Sequence, residues 1–101
     1  MTALMHTVAL AIAADHPAFA GHFPGRPLLP GVVLLSLVTQ ATQGRLGATP
    51  RIDNAKFLAP VGPGAQLRLA LRDQPGGNVV AFEIWLGPRL AARGQLSRDD
   101  V

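Results

Sequence analysis

The run Gly21-His22-Phe23-Pro24-Gly25-Arg26-Pro27-Leu28-Leu29-Pro30-Gly31-Val32 holds the residues best suited to chemistry. His22 sits in a loop whose prolines leave it few conformations. Histidine is the side chain that ordinarily exchanges a proton near neutral pH. Pro30-Gly31 stands directly before an apolar run that reads as a helix. The first N–H groups of a helix lack intrahelical partners and carry the positive end of its dipole. Gly31 has no side chain to hold a ligand off its N–H. A carbonyl oxygen placed there is polarised, and an enolate forming on it is stabilised. A general base beside an oxyanion donor, with an apolar helix alongside, suits removal of a proton alpha to a thioester carbonyl.

The elements that must position these groups follow from the punctuation. Thr7–Ala13 is a short apolar strand. Pro17, Pro24, Pro27 and Pro30 exclude regular helix or central strand from residues 15–31. So long a connection in a small domain is often functional. Val32–Gln43 runs without a breaker and is read as a buried helix, stopped by Gly44. Ile52–Ala59 is a strand closed by Pro60, Pro63 and Gly64. Leu67, Leu69 and Leu71 alternate with Arg68, Ala70 and Arg72. After the turn Gln74–Asn78, Val80, Phe82, Ile84 and Leu86 alternate with Ala81, Glu83 and Trp85. Gly87-Pro88 turns the chain into a last strand, Arg89–Leu96. The whole chain, residues 1–101, reads as a single α+β domain whose antiparallel sheet wraps one long helix.

Composition narrows the function. The 101 residues are 49% hydrophobic and only 15% charged, which excludes intrinsic disorder. That is more apolar surface than a small monomer can cover, so part of it is expected to be buried against another subunit. The longest apolar run, Val8–Ala14, is too short for a membrane span. The start of the chain shows no signal-peptide pattern, so the expected compartment is the cytoplasm. With no cysteine, disulfides, thiolate zinc sites and cysteine nucleophiles are excluded. His6, His16 and His22 lack the spacing of a metal site, and no metal is expected. The net charge is +3, but the basic residues are scattered along the sequence without interleaved aromatics. Nucleic acid is therefore not the expected partner; a basic rim for an acidic protein fits the charge equally well and needs only a few exposed arginines.

At this point the sequence resembles a known family. The His22–Gly31 run, continued by Val32-Val33-Leu34-Leu35, is similar to the active-site segment of bacterial 3-hydroxyacyl-[acyl carrier protein] dehydratases, the FabA/FabZ group. Ile52-Asp53-Asn54-Ala55-Lys56-Phe57, followed by Pro60-Val61-Gly62-Pro63-Gly64-Ala65-Gln66-Leu67, resembles the strand after the central helix of the same group. The resemblance covers Asp15 to Leu96 and is nearest to the compact relatives of aryl-polyene pathways. It implies a hotdog fold and a dimer, or higher oligomer, with active sites at the subunit interface. It implies an acyl thioester as substrate, carried on the phosphopantetheine of acidic acyl carrier protein or on coenzyme A, and no other cofactor. By position, His22 takes the place of the catalytic base and Gly31 that of the glycine whose N–H binds the thioester oxygen. Phe23, Pro30, Val32, Gln40 and Phe57 fall where substrate is bound.

Ser36 departs from the pattern. The family places a carboxylate there, five residues after the glycine, and elimination needs a proton on the leaving hydroxyl. A serine hydroxyl is a far weaker acid, and acid–base assistance is typically worth about 10²–10⁴-fold. Three readings stay open. Ser36, with Gln40, orders a water that relays the proton. A carboxylate from elsewhere, Asp15, Asp53 or Glu83, replaces the acid. Or the protein binds acyl thioesters without turnover, or completes a heterodimer with a related hotdog subunit. Alternatively Ser36 only bonds the carbonyl one turn back, at Val32, as helical serines commonly do.

Overall fold

The computed structural model describes residues 5–19 and 28–99, with the backbone alone at Met5 and Ala18. Strand β1 (Met5–Ala11) is followed by a 3-10 turn (Pro17–Phe19), the helix α1 (Gly31–Leu46) and β2 (Arg51–Phe57). Then β3 (Gln66–Asp73), β4 (Val79–Leu86) and β5 (Arg89–Ser97) follow as a meander. All neighbours pair antiparallel, in the order β1-β3-β4-β5-β2. The chain therefore crosses from one edge of the sheet to the other through α1, then returns to start β3. This is the hotdog arrangement the sequence led us to expect.

The meander follows from strict alternation. Leu67, Leu69 and Leu71 of β3 and Val80, Phe82 and Ile84 of β4 are buried and face α1. Arg68, Ala70, Arg72, Ala81, Glu83 and Trp85 stand on the other face, as the pleat requires. Gly87 takes φ 60° at the first position of the two-residue β4–β5 turn, and Pro88 supplies the fixed negative φ of the second.

Helix α1 corrects two expectations. It begins one residue earlier and runs three residues past the predicted end, through Gly44 to Leu46. A glycine inside a helix costs only about 1 kcal/mol. The continuation buries Leu46 and lets Arg45 pair with Asp73 on β3, while the Arg98 guanidinium donates to the Arg45 carbonyl. Gly47, at φ 91°, ends the helix instead. Nor is the helix buried all round. Leu34, Val38, Thr42 and Leu46 form the buried stripe, and the Thr42 hydroxyl bonds within the helix to Val38 and Thr39. Val32, Ser36 and Gln40 form an exposed one, with Val32 73% accessible.

Strand limits shift by one or two residues elsewhere. The first strand lies two residues earlier than predicted, the second ends at Phe57, and the last runs one residue longer. The accessible surface, 6115 Å², exceeds the roughly 5,500 Å² expected of a compact chain this size. Among the described residues no helix is long and apolar enough to cross a membrane.

Candidate active site

The two motifs singled out in the sequence meet in space. Leu29 donates its N–H to the Val61 carbonyl at 2.7 Å, tying the segment before α1 to the segment after β2. That second segment is held by a bulge in β5. Where the β4–β5 register shifts, the Ala91 carbonyl accepts from the N–H groups of both Leu58 and Ala59 (2.8 and 3.2 Å). Between the two segments lies a cleft of about 480 Å³, lined by Leu28, Leu29, Pro30, Gly31, Leu34 and Phe57–Val61. Its walls are almost wholly apolar. The sequence reading found Pro30, Gly31 and Phe57 there. It did not assign Leu28, Leu29, Leu34 or Leu58–Val61 to the site, although Leu28, Leu29, Pro60 and Val61 belong to the two motifs themselves.

Gly31 opens α1 at the mouth of this cleft. The Val33 N–H bonds the Pro30 carbonyl at 3.0 Å, so the first turn closes tightly and its leading N–H groups remain at the helix end. Pro30 stands in extended backbone and, lacking a side-chain donor or acceptor, caps nothing. The Phe57 ring lies against Gly31: a Cβ added there would stand 2.7 Å from the ring's tip. Phe57 itself is 48% exposed.

Ser36 and Gln40 lie one and two turns further along the exposed stripe. Gln40 Nε2 donates to Ser36 Oγ over a long 3.4 Å. Thr39 and Thr42, by contrast, bond the carbonyls of Leu35 and Val38, four residues back (2.8 and 3.1 Å). The stripe thus places Val32, Ser36 and Gln40 together, facing away from the chain's own core. His22 and Phe23 lie outside the described residues.

Two of the three candidate replacement acids are engaged elsewhere. Asp53 is the extra residue of a bulge in β2, where its carboxylate accepts from Ser97 Oγ at 3.0 Å and Arg51 Nε at 2.9 Å. It lies four residues before Phe57, about 13 Å away at the usual strand rise. Glu83 stands on the sheet face opposite α1 and accepts from Trp85 Nε1 at 3.3 Å. Asp15 is exposed ahead of the 3-10 turn.

That opposite face collects charge. Basic residues scattered in the sequence are gathered there by the pleat: Lys56, Arg72 and Arg93, with Glu83 among them, line a hollow of about 370 Å³ floored by Ala70 and Ala81. Arg68 lies beside it, 5.6 Å from the centre of the Trp85 ring. Among the described residues no cluster of three or more metal-ligating side chains occurs.

Comparison with known proteins agrees with this geometry. The ApeI-like family, described as ApeI dehydratase, matches residues 2–95. A 3-hydroxyacyl-[acyl-carrier-protein] dehydratase FabZ of Gluconacetobacter diazotrophicus is 38% identical over 85 residues, covering 71% of this chain and 53% of that protein. The FabZ of Rhizorhabdus wittichii is 35% identical over 106 residues, covering 90% and 68%. The chain thus spans about half to two thirds of the curated relatives it matches. Among solved structures, the dehydratase heterocomplex ApeI:P from Xenorhabdus doucetiae superposes with a TM-score of 0.78 at 28% identity, covering 92% of this chain and 85% of that one. An uncharacterized protein from Erwinia carotovora superposes at 0.77 with 34% identity, covering 96% and 84%. With the family match running over nearly its whole length, the chain belongs to the ApeI-like dehydratases.

Proposed function

We propose that the protein removes water from a 3-hydroxyacyl thioester to give the trans-2-enoyl product, in the cytoplasm, for fatty-acid or polyene-type lipid synthesis. The observation that carries this reading is the start of α1, opening onto an apolar cleft at Gly31. The acyl chain lies in the cleft and the thioester oxygen accepts from the Gly31 N–H. His22 takes the alpha proton, and the electron pair of that C–H bond moves onto the carbonyl oxygen as an enolate. As the enolate collapses, the alpha–beta double bond forms and the bond to the 3-hydroxyl breaks. The leaving oxygen takes a proton from a water held by Ser36 and Gln40 and departs as water, and the His22 imidazolium returns the alpha proton to that relay water. The substrate arrives on phosphopantetheine, of acyl carrier protein or of coenzyme A, and the exposed stripe of α1 with the open edge of β2 forms the face of a dimer.

Ser36 favours a second reading. With a hydroxyl in the place of the acid, this chain binds the thioester and completes a heterodimer with a related hotdog subunit that supplies the carboxylate. The ApeI:P neighbour is a dehydratase heterocomplex, which supports that arrangement.

The test is turnover of a 3-hydroxybutyryl-carrier-protein thioester by the purified chain, followed by mass spectrometry. Turnover lost in His22→Ala and raised in Ser36→Glu, by part or all of the about 10²–10⁴-fold an acid contributes, supports the first reading. A folded oligomer that binds the thioester but turns none over supports the second.

A further inference from the structure

Gly31 was expected to be glycine so that a ligand can approach its N–H. The structure assigns it a different partner. Its missing side chain is filled by the Phe57 ring, whose three outermost carbons lie 2.7, 2.9 and 3.1 Å from where a Cβ would stand. Carbon atoms pack at about 3.5–4.0 Å, so no side chain fits there without driving the ring outward by nearly an ångström. The bonds from Cα to Cβ and from Cα to N diverge tetrahedrally. A ring seated on the Cβ side covers Gly31 laterally rather than along its Cα–N bond.

We propose that Phe57 is a positioning residue for the thioester. Seated on the bare Cα of Gly31, its ring closes the cleft beside the oxyanion-binding end of α1. It holds the thioester carbonyl against the Gly31 N–H and keeps water from that hydrogen bond. Three observations carry this. Phe57 is the large aromatic of the cleft wall, among residues that are otherwise aliphatic. It is the last residue of β2, so a strand fixes its backbone, and the next two N–H groups are anchored on Ala91. And it is half exposed, so packing in the core does not account for its place. Gly31 and Phe57 are then one steric unit, drawn one from each motif. The inference rests on the thioester reading of the site.

The exposed ring can swing away, so Gly31→Ala is expected to fold while displacing it. Misplacement by about an ångström costs up to roughly 10²-fold in rate. The experiment compares wild type, Gly31→Ala, Phe57→Ala, Phe57→Leu and the Gly31→Ala/Phe57→Ala double variant. Each is assayed for kcat and KM with 3-hydroxybutyryl and 3-hydroxydecanoyl thioesters of pantetheine. Each is also titrated by calorimetry with the unreactive amide analogue of the longer one. Gly31→Ala is expected to lose about 10²-fold, chiefly in kcat. The double variant is expected to be no worse than Phe57→Ala alone, and Phe57→Leu to fall between Phe57→Ala and wild type. Multiplicative losses, with the Gly31→Ala defect undiminished once the ring is gone, would overturn the proposal and return Gly31 to its expected role. Wild-type protein that binds no amide analogue would refute the thioester reading itself, and the proposal with it.

Discussion

The two sides of the sheet's order are finished to different degrees. In β3 and β4 each inward apolar side chain from Leu67 to Ile84 is buried. In β2 all seven residues are exposed, although Ile52, Ala55 and Phe57 occupy the inward face of the same sheet. The helix explains the contrast. Its buried stripe is spent on the meander, and its exposed stripe, Val32–Ser36–Gln40, looks away from it. Fully burying an aliphatic or aromatic side chain is worth about 1.5–3 kcal/mol. Val32, Ile52, Phe57 and Leu58, at 73%, 38%, 48% and 45% exposed, thus leave roughly 4 kcal/mol of hydrophobic burial unrealised in the single chain. The completed side is what makes the chain fold. The unfinished side holds the cleft, Gly31 and Ser36, so under the proposed function chemistry and association would share one surface.

The sharpest way to break the contrast is to damage the finished side. Phe82 is 1% exposed at the centre of the core. Phe82→Ala is expected to cost about 3–5 kcal/mol, a large share of the stability of a small domain, as a fall in the urea midpoint. A loss below about 1 kcal/mol would mean that the core is not centred on the meander.

The two tight glycines sharpen it next. A Cβ on Gly94 would stand 2.2 Å from the Asn54 carbonyl oxygen and 2.7 Å from the Phe82 ring. The first obstacle is backbone of the paired strand and cannot swing aside. Gly94→Ala must therefore part β5 from β2, at about 1–3 kcal/mol. Gly31→Ala meets only the tip of an exposed ring and gains helix propensity of up to about 1 kcal/mol. Its stability is expected to stay within about 0.5 kcal/mol of wild type. Thermal melts of the two variants, side by side, separate a glycine the fold needs from one the site needs.

What could be read from the sequence was local. The alternation in Leu67–Leu71 and Val80–Leu86 has a period of two and needs no partner to be seen. The Pro30-Gly31 helix start and the Gly87-Pro88 turn are set by backbone rules alone. What escaped was tertiary. Gly44 looked like a stop until Leu46 found the core and Arg45 found Asp73. The bulges at Asp53 and Ala91 insert one residue and leave no composition mark, yet the first removes Asp53 as a substitute acid and the second anchors the cleft wall. Lys56, Arg72 and Arg93 are far apart in sequence and become neighbours only by strand pairing. The meeting of Phe57 with Gly31 is of the same kind: each motif was visible, but not their contact.

The smallest effect on the single chain should be the largest on its assembly. Val32, 73% exposed, touches little of its own core. Val32→Glu should leave protomer stability within about 0.5 kcal/mol, and an acid in the first helical turn is, if anything, favoured by the dipole. In a two-fold dimer that buries this stripe, the same change buries two carboxylates, because an isologous face presents each residue twice. At about 2 kcal/mol or more for each unpaired polar group, the dimer weakens by roughly 10³-fold. Sedimentation velocity should then show wild type as a dimer and Val32→Glu as a folded monomer. A variant that stays dimeric while losing thioester turnover would instead place Val32 in the substrate path and leave the open edge of β2 as the face that joins the subunits.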